Sequence, residues 1–362
     1  PVSIAYDQIS DVRSYATEQA GGAKESESLG WMVRTIRSLR LRYGSAHLRF
    51  GAPISLKTFF AGEIPDVDAD DAHNPAIPKL AFEVAMRINE ATPITPITLV
   101  TMALLSVGDR ALTLDEVRDA LRPFAEAVEQ RKLPTTEPID ADDAGQVRRA
   151  LENLAVHGVV SAFEGATDTV YRVQPQQHLA AAYYRNTIIH FFLEEAITEL
   201  ALLEVAESNP DNPAHAVVDD AVSIRDLLKF DFFFSPSEVF AEDVRTILRR
   251  KDPEFRDRLA AGEARELLTA SRPFRAPTIL RPFFEAYQVV GDLIERHAYE
   301  STIDPDDLAK EAMALGKQYQ LQGKVRSPES VSSALFDAAI KLAANRNLLE
   351  SHPHIVEQRL DF

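Results

Sequence analysis

The sequence predicts a mainly helical α+β protein, and three observations carry that prediction. Apolar residues alternate at Val2 and Ile4 and again over residues 47–50, which marks two short strands on either side of a helix at 26–43. From residue 79 onward apolar side chains recur at helical spacing almost to the end of the chain. Helices at 96–107, 113–130 and 144–157 then precede a hairpin, the order of elements in a winged-helix unit. Residues 1–60 therefore read as the end of an α/β layer whose earlier strands are absent. Residues 61–78 read as an acidic linker, 79–175 as a helical winged-helix-like unit, and 176–362 as a C-terminal helical domain.

Each element has a local reason. Pro1 is tolerated at the start of a strand because the first residue need not donate to a ladder. No initiator Met precedes this strand, so the expectation is that further chain lies upstream. Residues 26–43 place Leu29, Met32, Val33, Ile36 and Leu39 on one helical face. Gly51-Ala-Pro53 ends the second strand, and Asp66, Asp68, Asp70 and Asp71 mark the linker. Thr95-Pro96 reads as an N-cap followed by proline at the first helical position. The hairpin strands are 159–163 and 169–173, turning at 164–166. One long helix is expected over 179–207, then helices at 219–228, 236–249, 255–270, 277–299, 305–320 and 328–349, with a frayed tail from Ser351.

Composition narrows the chemistry. The chain is 362 residues long, 45% hydrophobic and 26% charged, with a net charge of −17. Residues 1–60 hold eight Lys/Arg against five Asp/Glu, a balance of +3, which leaves −20 for the remainder. An acidic body argues against nucleic acid as a partner, and an anionic ligand is expected at the basic start. The absence of cysteine excludes disulfides, thiolate nucleophiles and Cys-ligated zinc, and points to an intracellular location as the expectation. The uncharged run 91–108 contains Pro93 and Pro96, and its helix falls short of the ~20 residues that cross a bilayer. The run 179–206 carries Arg185, His190 and several glutamates, so both runs read as buried helices.

Several clusters invite a chemical reading. Gly21-Gly-Ala-Lys24 lacks the order of a phosphate loop; Lys24 is either an anion contact at a helix start or a solvated residue before a Ser26 cap. Arg34, Arg37 and Arg40 form a stripe that is either a headgroup surface or a charged solvent face. His215 and Asp220 match the letter of His-x4-Asp, a dyad in which aspartate orients a histidine base. On a helix, side chains five apart point about 140° away from each other, so this match is read as accidental. Asn186, His190, Glu194 and Thr198 draw a polar seam along 179–207, read as hydrogen-bonded packing with no complete metal set. Phe230, Phe232, Phe233 and Phe234, with Phe240, read as core, with a lipid contact as the alternative.

Pro1-Val-Ser-Ile-Ala-Tyr-Asp7 resembles the fourth acyltransferase motif of the glycerol-3-phosphate 1-O-acyltransferase family, where a Pro-Val/Ile strand is followed by tyrosine and an acidic residue. Four later blocks follow in the family's order: Lys24-Glu-Ser-Glu27-Ser28-Leu29, Phe50-Gly-Ala-Pro-Ile-Ser-Leu56, Asn89-Glu-Ala-Thr-Pro-Ile-Thr-Pro96, and Tyr183-Tyr184-Arg185-Asn186-Thr-Ile-Ile-His190. Beyond about residue 200 the similarity is diffuse but continuous. The resemblance, to the bacterial membrane-associated type, implies transfer of a fatty acyl group from acyl-CoA or acyl-carrier protein to the sn-1 hydroxyl of glycerol 3-phosphate, giving lysophosphatidic acid. It implies no cofactor or metal, no nucleic-acid partner, and peripheral attachment to the cytoplasmic face of the membrane. The family's His-x4-Asp dyad and phosphate-binding arginines precede the fourth motif and map onto no residue here, so no catalytic residue is assigned. Pro1 and Val2 carry over as substrate-binding positions, and Tyr6, Lys24 and Glu27 are added as their neighbours. The alternative reading is a non-catalytic helical interaction module.

Overall fold

A computed structural model of the chain describes residues 1–9, 12–22, 44–60, 76–165, 168–270 and 273–362. The fold is mostly helical with two small antiparallel sheets. The helix expected at 26–43, with its arginine stripe, and residues 61–75 of the expected linker lie outside the described residues.

The first sheet is a two-stranded ribbon of β1 (Val2–Tyr6) and β2 (Ala46–Phe50). They pair antiparallel, Val2 opposite Phe50 and Ile4 opposite Leu48, so the strand–helix–strand order is not a parallel crossover. Alternation sends Ser3 inward, where its hydroxyl lies 2.8 Å from that of Thr92. Val2, Ile4, Tyr6, Leu48 and Phe50 stay exposed, Phe50 at 77%. Between the strands lies α1 (Val12–Gln19), an element the sequence reading left unassigned, with α2 (Leu56–Phe59) after the ribbon. Next, α3 (Ala76–Ala91) begins inside the span taken as linker. Arg87 on α3 donates to the Ala52 and Pro53 carbonyls at 3.1 and 2.9 Å and so holds the end of the ribbon.

The expected cap at Thr95 is present: its side chain accepts from the Thr98 amide, Pro96 opens α4 (Pro96–Ser106), and Thr98 reaches back to the Thr95 amide. The short β3 (Leu112–Thr113) leads into α5 (Leu114–Gln130), and α6 (Ala144–Val156) is capped by Asp143. Strands β4 (Ser161–Glu164) and β5 (Thr169–Arg172) form the expected hairpin, with β5 central in the order β3-β5-β4.

The long helix expected over 179–207 is two: α7 (His178–Asn186) and α8 (His190–Ser208), separated by a turn at 187–189. Helix α8 is apolar on nearly all sides and is buried at Phe192, Leu193, Ala196, Ile197, Ala201 and Leu202, as expected of a central helix. Against it pack α9 (Pro213–Leu227) and α10 (Ser237–Lys251); α11 (Phe255–Ala260) lies on α9, and α12 (Ala264–Thr269) and α13 (Ala276–Ile279) return to α8. Gly262, at φ +82°, separates α11 from α12 where one helix was expected. Pro282 opens α14 (Arg281–Arg296) and breaks the expected helix 277–299 at Leu280. A second apolar cluster joins α14 to α15 (Pro305–Leu321) and α16 (Ser333–Asn345). The tail does not fray as expected. In α17 (Ile355–Leu360), Arg359 is 1% exposed and donates to the carbonyls of Leu348 and Glu300 at 2.6 and 2.7 Å.

A buried ion cluster ties these layers together. Glu329 receives Arg185 Nη1 at 2.9 Å and His178 Nδ1 at 3.0 Å, and Arg185 also donates to the Thr278 carbonyl at 3.3 Å. Burial would raise the Glu329 carboxyl, but the His178 hydrogen bond and the Arg185 charge outweigh it and hold it at about 2. A carboxyl lowered on folding stabilises above its unfolded value of about 4.3, and that contribution is lost as pH falls toward the folded value. Replacing Glu329 with alanine strands the Arg185 guanidinium and is expected to cost roughly 3–5 kcal/mol in urea unfolding at neutral pH. Wild-type stability should fall more steeply than that of Glu329→Gln as pH drops from about 4 toward 2; parallel curves would refute this role.

Candidate functional site

A cleft of about 610 Å³ opens between the ribbon and the helical body. Ser3, Ile4, Ala5 and Tyr6 form one wall, and the end of α3 another, through Asn89 and Thr92. The α7–α8 turn supplies Asn186 and His190. The loop after α9 brings Phe230, Asp231, Phe232 and Phe233, and α16 adds Lys341 at an exposed position.

The polar groups are placed by specific bonds. His190 Nε2 lies 2.9 Å from the Asn89 carbonyl, which can only accept, so Nε2 carries the proton and Nδ1 keeps a lone pair. Burial pushes His190 down to about 4 against the opposing effect of that carbonyl, so the ring is neutral at physiological pH. Asp231 accepts from the Tyr287 hydroxyl at 2.7 Å. Burial raises its carboxyl to about 7, and the tyrosine bond only partly offsets this. Two titratable groups with oppositely displaced values thus share one cleft with an exposed ammonium group. Near neutrality it is the Asp231 carboxyl that can gain or lose a proton, and the Lys341 ammonium that can hold an anion.

The ribbon is seated on the body at this cleft. Tyr184 donates to the Gln8 side chain at 2.5 Å and receives the Ile9 amide at 3.4 Å. Asp7 accepts from His47 at 3.0 Å and from the Ser45 amide at 2.8 Å, closing the same end of the ribbon across the two strands.

Tyr6 is the one sequence-assigned position that lines this cleft. Val2 sits on the exposed ribbon face, and Pro1 accepts the Gly51 amide at 3.0 Å. Lys24 and Glu27 lie outside the described residues. His215 pairs at 2.5 Å with Asp219, four residues on, and not with Asp220; both partners are exposed and neither lines the cleft. The polar seam does not run as one line. Asn186 belongs to α7 and accepts from Arg185, His190 turns to α3, and Thr198 donates to the Glu194 carbonyl. The aromatic loop is divided: Phe234 and Phe240 are core, whereas Phe230 and Phe233 are 40% and 47% exposed. Asp231 escaped the sequence reading, although a lone carboxylate between phenylalanines is a visible signal of a displaced acid. Among the described residues, no group of three or more His, Asp or Glu is placed to hold a metal.

The model of the glycerol-3-phosphate acyltransferase C-terminal region matches residues 15–352. The chain belongs to this family. Curated relatives include the proteins named "Putative acyltransferase plsB1" from Mycobacterium bovis and Mycobacterium tuberculosis. Both are 36% identical over 356 residues, covering 97% of this chain and 56% of theirs. The chain thus spans about half the length of the curated relatives it matches.

The raised Asp231 carboxyl has a measurable consequence. An acid raised on folding leaves stability intact below its unfolded value of about 3.9 and erodes it as pH climbs toward the folded value. Asp231→Asn should therefore gain about 1–4 kcal/mol over wild type at pH 8, with little difference at pH 4, in urea unfolding at the two pH values. An equal difference at both would show that Asp231 is not displaced.

Proposed function

We propose that this chain is the C-terminal part of a glycerol-3-phosphate 1-O-acyltransferase. The reaction moves a fatty acyl group from acyl-CoA or acyl-carrier protein to the sn-1 hydroxyl of glycerol 3-phosphate. The hydroxyl oxygen bonds to the thioester carbonyl, the C–S bond breaks, the thiolate leaves, and the hydroxyl proton passes through a base to the thiol. The products are lysophosphatidate and free thiol. The family match across residues 15–352 is the observation that carries this reading.

In this reading residues 1–60 complete an α/β catalytic domain, 61–78 link it to a winged-helix-like unit at 79–175, and 176–362 form a helical scaffold. Support for the first division comes from the ribbon's apolar outer face, where Val2, Ile4, Tyr6, Leu48 and Phe50 are exposed side by side. A face of that kind needs a covering layer. Pro1, Val2, Tyr6, Lys24 and Glu27 contribute to substrate binding. The cleft beside it supplies Lys341 for the phosphate and Asp231 and His190 as its polar floor. Among the described residues no helix is long and apolar enough to cross a membrane. Peripheral attachment at the cytoplasmic face, where the acyl product enters lipid, agrees with that.

The catalytic base lies outside this set of residues, so the 362-residue chain alone should release thiol from palmitoyl-CoA at the blank rate with glycerol 3-phosphate present, and His215→Ala should change nothing. Turnover above blank that His215→Ala abolishes would overturn this reading.

A further inference from the structure

Two smaller clefts lie side by side on the far part of the helical body, sharing Pro277 and Arg281 in their walls. They differ in chemistry. The first, about 300 Å³, is lined by Leu200, Leu203, Leu268, Phe274, Leu280 and Phe284. Its one carboxylate, Glu199, is occupied by the Arg275 and Ala276 amides at 2.7 and 3.0 Å. The second, about 260 Å³, is polar and holds Arg281, Arg326, Asp109, Ser327 and His178.

The polar cleft is electrically unfinished. The Arg281 and Arg326 side chains are exposed and form no ion pair among the described residues. His178 is 4% exposed, and its Nδ1 is committed to Glu329. Its Nε2 lies 3.5 Å from Asp109 and makes no hydrogen bond among the described residues, an orphaned buried atom at the cleft wall. The Glu329 charge is matched by Arg185. Two guanidinium groups against one exposed aspartate leave the cleft cationic, although the chain as a whole is strongly acidic.

From this juxtaposition of an apolar groove and a cationic pocket with a common wall, we propose a binding site for a single-chain phosphomonoester lipid, of the class of lysophosphatidate. The phosphate meets Arg281 and Arg326, with His178 in the wall beside it, and the acyl chain lies in the groove. A phosphomonoester fits better than a carboxylate because its near-dianionic charge and three oxygens match two guanidinium forks. The site is separate from the cleft at the ribbon, and its failure would leave the acyl-transfer reading intact.

Isothermal titration of the purified chain with oleoyl lysophosphatidate, kept below its micelle-forming concentration, tests the proposal. Oleate, oleoylglycerol and inorganic phosphate serve as the other ligands. Lysophosphatidate should bind saturably and more tightly than all three. The double variant Arg281→Gln/Arg326→Gln should weaken it by about tenfold or more. Leu203→Glu, at a 39% exposed position of the groove, should weaken the lipid and leave phosphate unchanged. All these changes are at exposed positions, and an unchanged circular-dichroism melt checks that the variants fold. Absence of lysophosphatidate binding, or wild-type affinity in the double variant, would overturn the proposal. So would equal affinity for oleate or oleoylglycerol, which would leave a plain apolar groove, or for phosphate, which would leave an anion pocket with no lipid role.

Discussion

Burying the Glu329 carboxylate beside Arg185 and His178 sets the geometry on which much of the rest depends. A carboxylate and a guanidinium withdrawn from water are tolerated only when their hydrogen bonds are satisfied in fixed positions. Glu329 has two partners on α7, and Arg185 extends the contact to the Thr278 carbonyl at α13. Helix α7 is thereby fixed in rotation and height against both apolar clusters. Its Tyr184 then reaches the Gln8 side chain, and its Tyr183 meets Tyr15 edge-on, 5.5 Å between ring centres. From the other side Gln19 accepts from the Ser332 hydroxyl at 2.9 Å and the Ala334 amide at 3.0 Å. Helix α1 and the residues after β1 are thus tied to the body around that buried charge, while Arg87 on α3 and Thr92 just after it hold the ribbon itself.

The same placement makes the cleft. Because α7 stops at Asn186 and the chain turns over 187–189, His190 starts a new helix and faces the carbonyl of Asn89 instead of continuing a seam. Asp231 is carried in by a loop whose neighbours, Phe232 and Phe234, pack against Phe283 and Phe240. Aromatic packing on either side keeps the carboxyl from water, and that burial lifts it to about 7. The environment that lifts this acid toward neutrality also makes its ionisation costly to the fold.

What could be read in advance was local. Thr95-Pro96, the hairpin around residue 165 and the alternation of β1 each rest on signals confined to a few residues, and each is present in the structure. Misreadings arose where tertiary packing overrode a periodic pattern. The run 179–207 has helical spacing throughout, yet the turn at 187–189 divides it. Arg359 looks like a solvated tail residue, but the Leu348 carbonyl and those of His297 and Glu300 in the stretch 297–300 hold it in the core. Asp231 was hidden because its raised pKa comes from burial by the tertiary fold, which the Tyr287 hydroxyl, 56 residues away, only partly offsets. The rejected His-x4-Asp match shows the reverse: helix geometry alone separated His215 from Asp220, and the structure gives His215 a different partner. The family itself was legible from the blocks taken together, and the family match over 15–352 agrees with it without assigning chemistry to single residues.

The central claim is that the cleft between ribbon and helical body holds part of the acyltransferase substrate site. Steady-state kinetics of the full-length acyltransferase carrying Lys341→Gln test it most directly, because Lys341 is exposed in the cleft and takes no part in the core. The account predicts a rise of about tenfold or more in KM for glycerol 3-phosphate or the acyl donor, with an unchanged melting temperature. Wild-type kinetic constants for both substrates would contradict it.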